Sequence, residues 1–406
     1  MAYLNNIISM TLKAYQYRIY PNKEQLSLIW KHMNHNRGLY NKLLALSCRY
    51  YKFFGKSPSK RKLQDHIVKL KKRSKYAWLK EVNSQSLLVT LENLDNAYRN
   101  FFSGRAKFPR FKSKRSNWHS YANPQHTEVC FDGSKIKLPK IGWVNAKLHR
   151  AFTGKIKTST VKITPSGKIM VSILIEDGQE RPVATTINAQ EAIGIDLGLK
   201  DFLITSDGHT FENKRHLKHK LQALNKQQRI LSRKKKGSIS SKKQRLKIAK
   251  LHESVANARK DNHHKISRTL VSENQTTLFV EDLAVKNMVK NRKLARHIAD
   301  AGWSQFLNFL AYKQADQGKN LISINRFMPS SKTCLKCDEK NESLTLADRV
   351  FVCPSCSHVE DRDIHAAKNI KRFGLAQELG SGSESSHAVK SSPRSKLDLT
   401  SDLAKG

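Results

Sequence analysis

The chain has 406 residues, with 75 Lys and Arg against 33 Asp and Glu, a formal net charge of +42. Its 38% apolar residues can bury real cores, which excludes a wholly disordered basic tail, and no apolar run of about 18 or more exists to span a membrane. A charge this large self-repels unless a polyanion neutralises it, so nucleic acid is the expected partner and acidic small-molecule metabolism is disfavoured. The first ten residues show no basic segment followed by a long apolar core, so no signal peptide is expected. Residues 13–20 alternate, with Tyr15, Tyr17 and Ile19 on one face, and predict a strand. Pro21-Asn22 then opens a helix carrying Leu26, Ile29, Trp30, Met33, Tyr40 and Leu44 and ending near Gly55. A second helical stripe holds Leu87, Leu91, Leu94, Tyr98 and Phe101 before Gly104. Residues 126–177 return to short alternating runs with turns at Asp132-Gly133 and Pro165-Ser166-Gly167, which predicts a small antiparallel sheet or barrel that the first strand joins. Residues 177–188 read as a linker, 190–373 as a third region, and the Ser/Gly-rich stretch from 375 as a disordered tail.

The basic excess is local. Residues 1–120 hold 25 Lys and Arg but five acids, and between Glu212 and Glu253 stand 15 Lys and Arg with no acid. One such run is as well explained by a solvated helix face. Two separate ones in a foldable chain point to phosphate-tracking surfaces that bind by counterion release.

Three acids stand out in this background. Ile193-Gly194-Ile195-Asp196 is an apolar strand with a carboxylate, which is costly to bury unless paired or bound to metal. The same Asp-x-Gly also occurs in actin-like ATPases, so alone it decides little. Phe279-Val280-Glu281-Asp282 repeats the pattern, although a solvated strand end would look the same. Asp361-Arg362-Asp363 opens a short helix, where N-capping by Asp361 is the plainer account. Together, acids on three elements are what a two-metal phosphodiesterase needs, with two Mg²⁺ about 3.5–4 Å apart. Cys334-x-x-Cys337 and Cys353-x-x-Cys356 carry the spacing of a structural zinc ribbon, whose closed thiolate site would brace the acid-bearing turn at Asp361. Cys48 and Cys130 have no matching partners.

In this order the motifs resemble one family. Gly194-Ile195-Asp196-Leu197-Gly198, Val280-Glu281-Asp282-Leu283, the two cysteine pairs and Asp361-Arg362-Asp363 look like TnpB, the insertion-sequence-encoded RNA-guided nuclease related to type V CRISPR effectors. Tyr17-Arg18-Ile19-Tyr20-Pro21 and Phe108-Pro109-Arg110-Phe111-Lys112 match its N-terminal half, so the resemblance covers about residues 11–373. It implies an α+β multidomain chain. Residues 1–20 would be the first strand of a wedge β-barrel, 21–115 an inserted helical recognition lobe and 116–182 the rest of the barrel. An RNase H-like (RuvC) α/β nuclease domain would occupy 188–328, an inserted zinc ribbon 329–358, the C-terminal RuvC segment 359–374 and a tail 375–406. It further implies Asp196, Glu281 and Asp363 as catalytic Mg²⁺ ligands, with Asp363 favoured over Asp361 by motif position, and structural zinc on Cys334, Cys337, Cys353 and Cys356. The implied partners are a guide RNA from the transposon end, double-stranded target DNA beside a short motif, and a separate transposase encoded by the same element, in a prokaryotic cytoplasm at the nucleoid. The basic stretch 213–252 would be a helical pair against nucleic acid.

Two departures from the family pattern stand out. His365 replaces the usual Asn, which should tune positioning, and Asp338 and Ser357 follow the second Cys of each knuckle where Gly is usual, which should strain the turns. The competing readings are an RNA-guided DNA-binding repressor that does not cut, and an RNA-independent transposase accessory DNA-binding protein.

Overall fold

A computed structural model of the chain describes residues 10–114, 119–273, 275–345 and 348–379. They form two compact units, one from residues 10–183 with 215–262, the other from 184–214 with 263–379.

The first unit begins with strand β1 (Met10–Tyr20), then helices α1 (Lys23–Phe54), α2 (Lys60–Lys72) and α3 (Ser84–Phe102). Asn22 starts α1 with a capping box, accepting the Gln25 N–H at 2.8 Å while Gln25 Oε1 accepts the Asn22 N–H at 3.1 Å. Gly55, at φ 62°, stops it. Helix α2 was not foreseen: its apolar residues Leu63, Ile67 and Leu70 are sparse among lysines, yet they are buried against α1 and α3. Six further strands follow: β2 (His119–Asn123), β3 (Glu128–Cys130), β4 (Lys135–Leu138), β5 (Gly142–Lys147), β6 (Lys155–Ile163) and β7 (Ile169–Glu180). With β1 they make one seven-stranded sheet in the order β2-β6-β7-β1-β5-β4-β3, so the first strand does join the later ones. Its long strands alternate buried and more open residues around a single core that also takes Ile29 and Met33 of α1.

The expected barrel is not closed. The edge strands β2 and β3 do not pair, because β2 is covered by helices instead. The His32 ring lies 5.0 Å from Tyr121, and Asn83 Nδ2 donates to Asn123 Oδ1 at 3.1 Å. The expected linker also starts late, since β7 stays paired with β1 to Glu180. The basic stretch forms α4 (His216–Ser232) and the longer α5 (Ile239–Ser272).

In the second unit, strands β8 (Ala192–Asp196), β9 (Asp201–Thr205) and β10 (Thr210–Glu212) form an antiparallel meander. Beyond it, β8 pairs in parallel with β11 (Thr277–Glu281), and β11 with β12 (Asn320–Ile324). Short helices α6 (Val285–Met288) and α7 (Ala295–Ala301) precede α8 (Trp303–Asp316). The hairpin β13 (Val350–Val352) and β14 (Val359–Asp361) runs straight into the last helix, α9 (Arg362–Leu379). Residue 359 is therefore no boundary, and residues 375–379 are helical rather than tail, with Leu375 packed beside Ile370 and Phe279. Residues 1–9 and the rest of the expected tail, 380–406, lie outside the described residues. Among the described residues, no helix is long and apolar enough to cross a membrane.

Candidate functional site

Strands β8 and β11 are buried up to their last residue, and each ends in an acid. Ile195 stands opposite Val280, so Asp196 and Glu281 follow side by side, at the strand spacing of about 4.8 Å. Burial pushes the Asp196 carboxyl up to about 7, and the Glu281 and Asp363 carboxylates push the same way, against Arg362 and the Leu197 N–H. Asp196 as a whole is half-buried.

Asp361 and Asp363 have different tasks. Asp361 Oδ1 accepts the N–H groups of Asp363 (3.0 Å) and Ile364 (3.1 Å), capping α9. Asp363, in the first turn, is the acid whose charge Asp196 feels. Ser330 Oγ donates to Glu281 Oε1, and Arg326 pairs with Asp282. Among the described residues, the sets whose ligand atoms all lie within 4.8 Å are the four cysteines and His358–Glu360–His365, so the three acids are coupled without being in mutual contact. As a donor set, a shared, mutually repelling group of carboxylates suits a hard divalent cation.

Helix α9 can approach β8 because of glycine. A side chain at Gly194 would overlap the Ala367 carbonyl oxygen, and one at Gly374 would overlap the Phe279 ring. Gly194 thus sets how close α9 comes to β8, which carries Asp196, and Gly374 how close it comes to β11, which carries Glu281. Glycine inside an apolar strand is the available signal for such an approach. Sequence reasoning used Gly194 only as part of a motif and passed over Gly374.

The cysteines gather as their spacing predicts. Cys334 and Cys356 sulfurs stand 3.6 Å apart and those of Cys337 and Cys353 3.4 Å apart. The Lys336 N–H points at Cys334 Sγ (3.3 Å), and the Cys356 N–H at Cys353 Sγ (3.5 Å), which holds the Cys353 thiol down to about 6. Cys337 and Cys356, which share hydrogen bonds with the other sulfurs, are pushed up instead, and it is the gathering of four sulfurs that fits a soft tetrahedral metal. Asp338 and Ser357 adopt φ of 60° and 52°, the left-handed conformation that a Gly would take without strain.

His365 lies fully buried, stacked 3.9 Å from the Phe351 ring, with Nε2 2.7 Å from the Thr333 carbonyl oxygen and Nδ1 3.1 Å from Glu360 Oε2. Asn369 Nδ2, one helical turn on, donates to the Ser330 and Thr333 carbonyls at 2.8 and 2.7 Å. His365 therefore ties α9 to the first cysteine knuckle rather than facing the acids. Ser330, Glu360 and Asn369 were not singled out from the sequence, where nothing marks the pairing of Ser330 and Asn369 across more than 30 residues or that of Glu360 with His365 five residues on.

In the first unit, α4 and α5 are linked by Gln244 Nε2 to the Gln227 carbonyl (2.9 Å), and Lys168 anchors α5 through Glu253 at 2.8 Å. A cleft of about 850 Å³ between α1, α3, β2 and β6 is lined by Arg37, Asn93, Arg110, Lys112, Tyr121 and Thr160.

Three family models match in succession. One described as "Helix-turn-helix domain" covers residues 10–56, "Probable transposase" covers 172–292, and "Cas12f1-like, TNB domain" covers 303–370. The first stretch is folded as β1 and the single helix α1, with no second helix to make that motif. Two curated relatives carry the name "Putative RNA-guided DNA endonuclease". The Streptomyces pristinaespiralis protein is 36% identical over 371 residues, 90% of each chain. The Escherichia coli K12 protein, InsQ, is 31% identical over 405 residues, 96% of this chain and 99% of its own. Among solved structures, the Cas12f1–sgRNA–target DNA complex matches with TM-score 0.54 and 12% identity, over 89% of this chain and 99% of that one, a likeness of fold.

Proposed function

The chain belongs to the TnpB family of RNA-guided DNA endonucleases, and we propose that it hydrolyses target-DNA phosphodiesters at Asp196, Glu281 and Asp363. Its partners are a guide RNA and the target DNA. The observation that carries the site assignment is the convergence of acids from β8, β11 and α9 on Asp196, whose carboxyl the other two push upward. The order β10-β9-β8-β11-β12, with α9 on β8, supports an RNase H-like (RuvC) reading of the second unit. Two Mg²⁺ held there would supply an activated water and charge neutralisation at the leaving oxygen. The protein's own part is positional. Strand β8 fixes Asp196, Ser330 orients Glu281, and the Asp361 cap sets the first turn that presents Asp363. The four thiols fit structural Zn²⁺, and His365 and Asn369 carry its rigidity to α9.

On this reading the basic first unit holds the guide–target duplex by its backbone and reads a short flanking motif, for which the cleft beside Arg37 and Arg110 is the candidate. The guide comes from the transposon end, a separate transposase moves the element, and the protein works on nucleoid DNA in a prokaryotic cytoplasm. Purified protein with its co-purifying RNA should cut matching DNA in Mg²⁺, and Asp196→Asn should bind that DNA without cutting. Normal cutting by the variant would remove Asp196 from the site. Sequencing the bound RNA tests its origin.

A further inference from the structure

Helices α1 and α3 run parallel. Asn36 Nδ2 donates to Ser86 Oγ at 3.2 Å and Thr90 Oγ1 to Asn36 Oδ1 at 2.6 Å, and further along both helices Tyr98 packs beside Cys48. From that level α1 continues to Phe54 and α3 to Phe102, roughly 9 Å and 6 Å at about 1.5 Å per residue, so the helices end almost flush. Both ends are aromatic and open. Phe53, Phe54 and Phe102 are 74%, 62% and 70% exposed, and Phe108, just beyond α3, is 47% exposed.

These rings are arranged rather than scattered. Phe54 rests on Tyr50 with ring centroids 4.5 Å apart, and Phe102 lies nearly parallel to Tyr98, with 20° between the planes. Phe108 stands edge-on to Phe101 at 5.3 Å. Phe54, Phe102 and Phe108 are thus each backed by another ring while remaining open to solvent. Burying them against an apolar partner would be the simple expectation, but the surroundings argue for a polyanion. No acid occurs between Glu24 and Asp65 or between Asp95 and Glu128, while Lys52, Lys56, Arg105 and Lys107 flank the rings. A cationic rim round open aromatic faces suits bases attached to phosphates. A duplex hides its base faces, so the occupant is unpaired. RNA presents such bases in loops, on which aromatic side chains commonly stack, whereas target DNA is unpaired only once opened.

We propose that the flush ends of α1 and α3 form a stacking platform for unpaired bases of the RNA this protein carries. This rests on the RNA-guided reading above. Two probes separate the two. One is a single-stranded uridine RNA of about 15 nucleotides with a central 2-aminopurine, and the other is the same strand paired with its complement. RNA-free full-length protein should quench the 2-aminopurine of the single strand, and Phe54→Leu/Phe102→Leu should abolish the quench and weaken single-strand binding about tenfold or more. Duplex binding should not change, and Phe54→Tyr/Phe102→Tyr should restore the quench. A leucine variant that quenches and binds like the parent overturns the platform alone. So does one that differs only by losing self-association in light scattering, which would assign the rings to a second copy of the chain. A parent protein that binds neither probe overturns the RNA-guided reading and the platform with it. Matching circular dichroism melts confirm that the variants fold.

Discussion

In the seven-stranded sheet of the first unit, buried and half-buried residues alternate along the long strands, whereas β8 and β11 of the second unit are buried throughout and change character only at their last residue. On an antiparallel sheet with a wet face, a lysine costs little wherever it faces water, so its many cations are individually uninformative and matter as a field. At the end of a strand buried along its first four residues, a carboxylate keeps little solvent, and the burial that pushes Asp196 upward asks for a partner. The abundant charge therefore marks where a polyanion is proposed to lie, and the scarce charge marks where chemistry is proposed.

That division can be broken by perturbing one region and reading the other. If the cysteine site holds the proposed structural Zn²⁺, the largest effect is expected from Cys353→Ser or from chelation, since such a metal contributes on the order of 10 kcal/mol to folding. Cleavage and the thermal transition of the second unit should be lost, while RNA binding by the first survives in a filter assay. Next, Asp196→Asn should lower single-turnover cleavage at least about a thousandfold with binding intact. The same substitution has a pH signature. The folded Asp196 carboxyl titrates near 7 against an ordinary 3.8, so the fold holds a proton that the unfolded chain has released. Metal-free protein should thus lose stability as pH rises from about 4 to 7 and level off above. Melts in Mg²⁺-free buffer should show this slope, and Asp196→Asn should flatten it.

Gly194→Ala comes third. Its methyl would force α9 away from β8, destabilising the second unit by about 1–3 kcal/mol and slowing cleavage more than it weakens binding. Changing Arg233, Lys234, Lys235 and Lys236 to Gln strikes the other region. It should reduce the salt slope of RNA affinity, by up to about three if all four contact phosphate, and leave the rate at saturation unchanged. If the rate falls instead, the two regions are not separable. The smallest effect is a gain: Ser357→Gly relieves a left-handed φ and should stabilise the ribbon by about 1 kcal/mol in a chemical melt. Asp338→Gly should gain less, because it gives up the Arg372 ion pair.

These contrasts also explain what the sequence disclosed. Periodicity located β1, α1, α3 and the sheet, because their apolar residues recur at one element's own spacing. Cysteine pairs and strand-end acids were legible because their chemistry is tied to short local patterns. Helix α2 was missed because its buried face is only Leu63, Ile67 and Leu70 in a lysine-rich stretch. Sheet closure was misjudged because whether β2 pairs with β3 or lies under helices depends on contacts such as Asn83 to Asn123, which no local pattern encodes. The same holds for His365: its departure from the usual Asn was legible, and only the packed knuckle shows the ring turned toward Thr333.

The position of α9 has one more consequence, which concerns time. Asp363 follows Asp196 by 167 residues, so at about 5–20 residues per second the ribosome makes the first acid roughly 8–33 s before the third. Residues 10–183 and 215–262 all emerge before Glu281 as well. On the proposed roles, a nascent chain, or one cut short ahead of the cysteine knuckles, would hold nucleic acid before it holds a complete set of acids. Production of the protein passes through a binder on its way to a cutter.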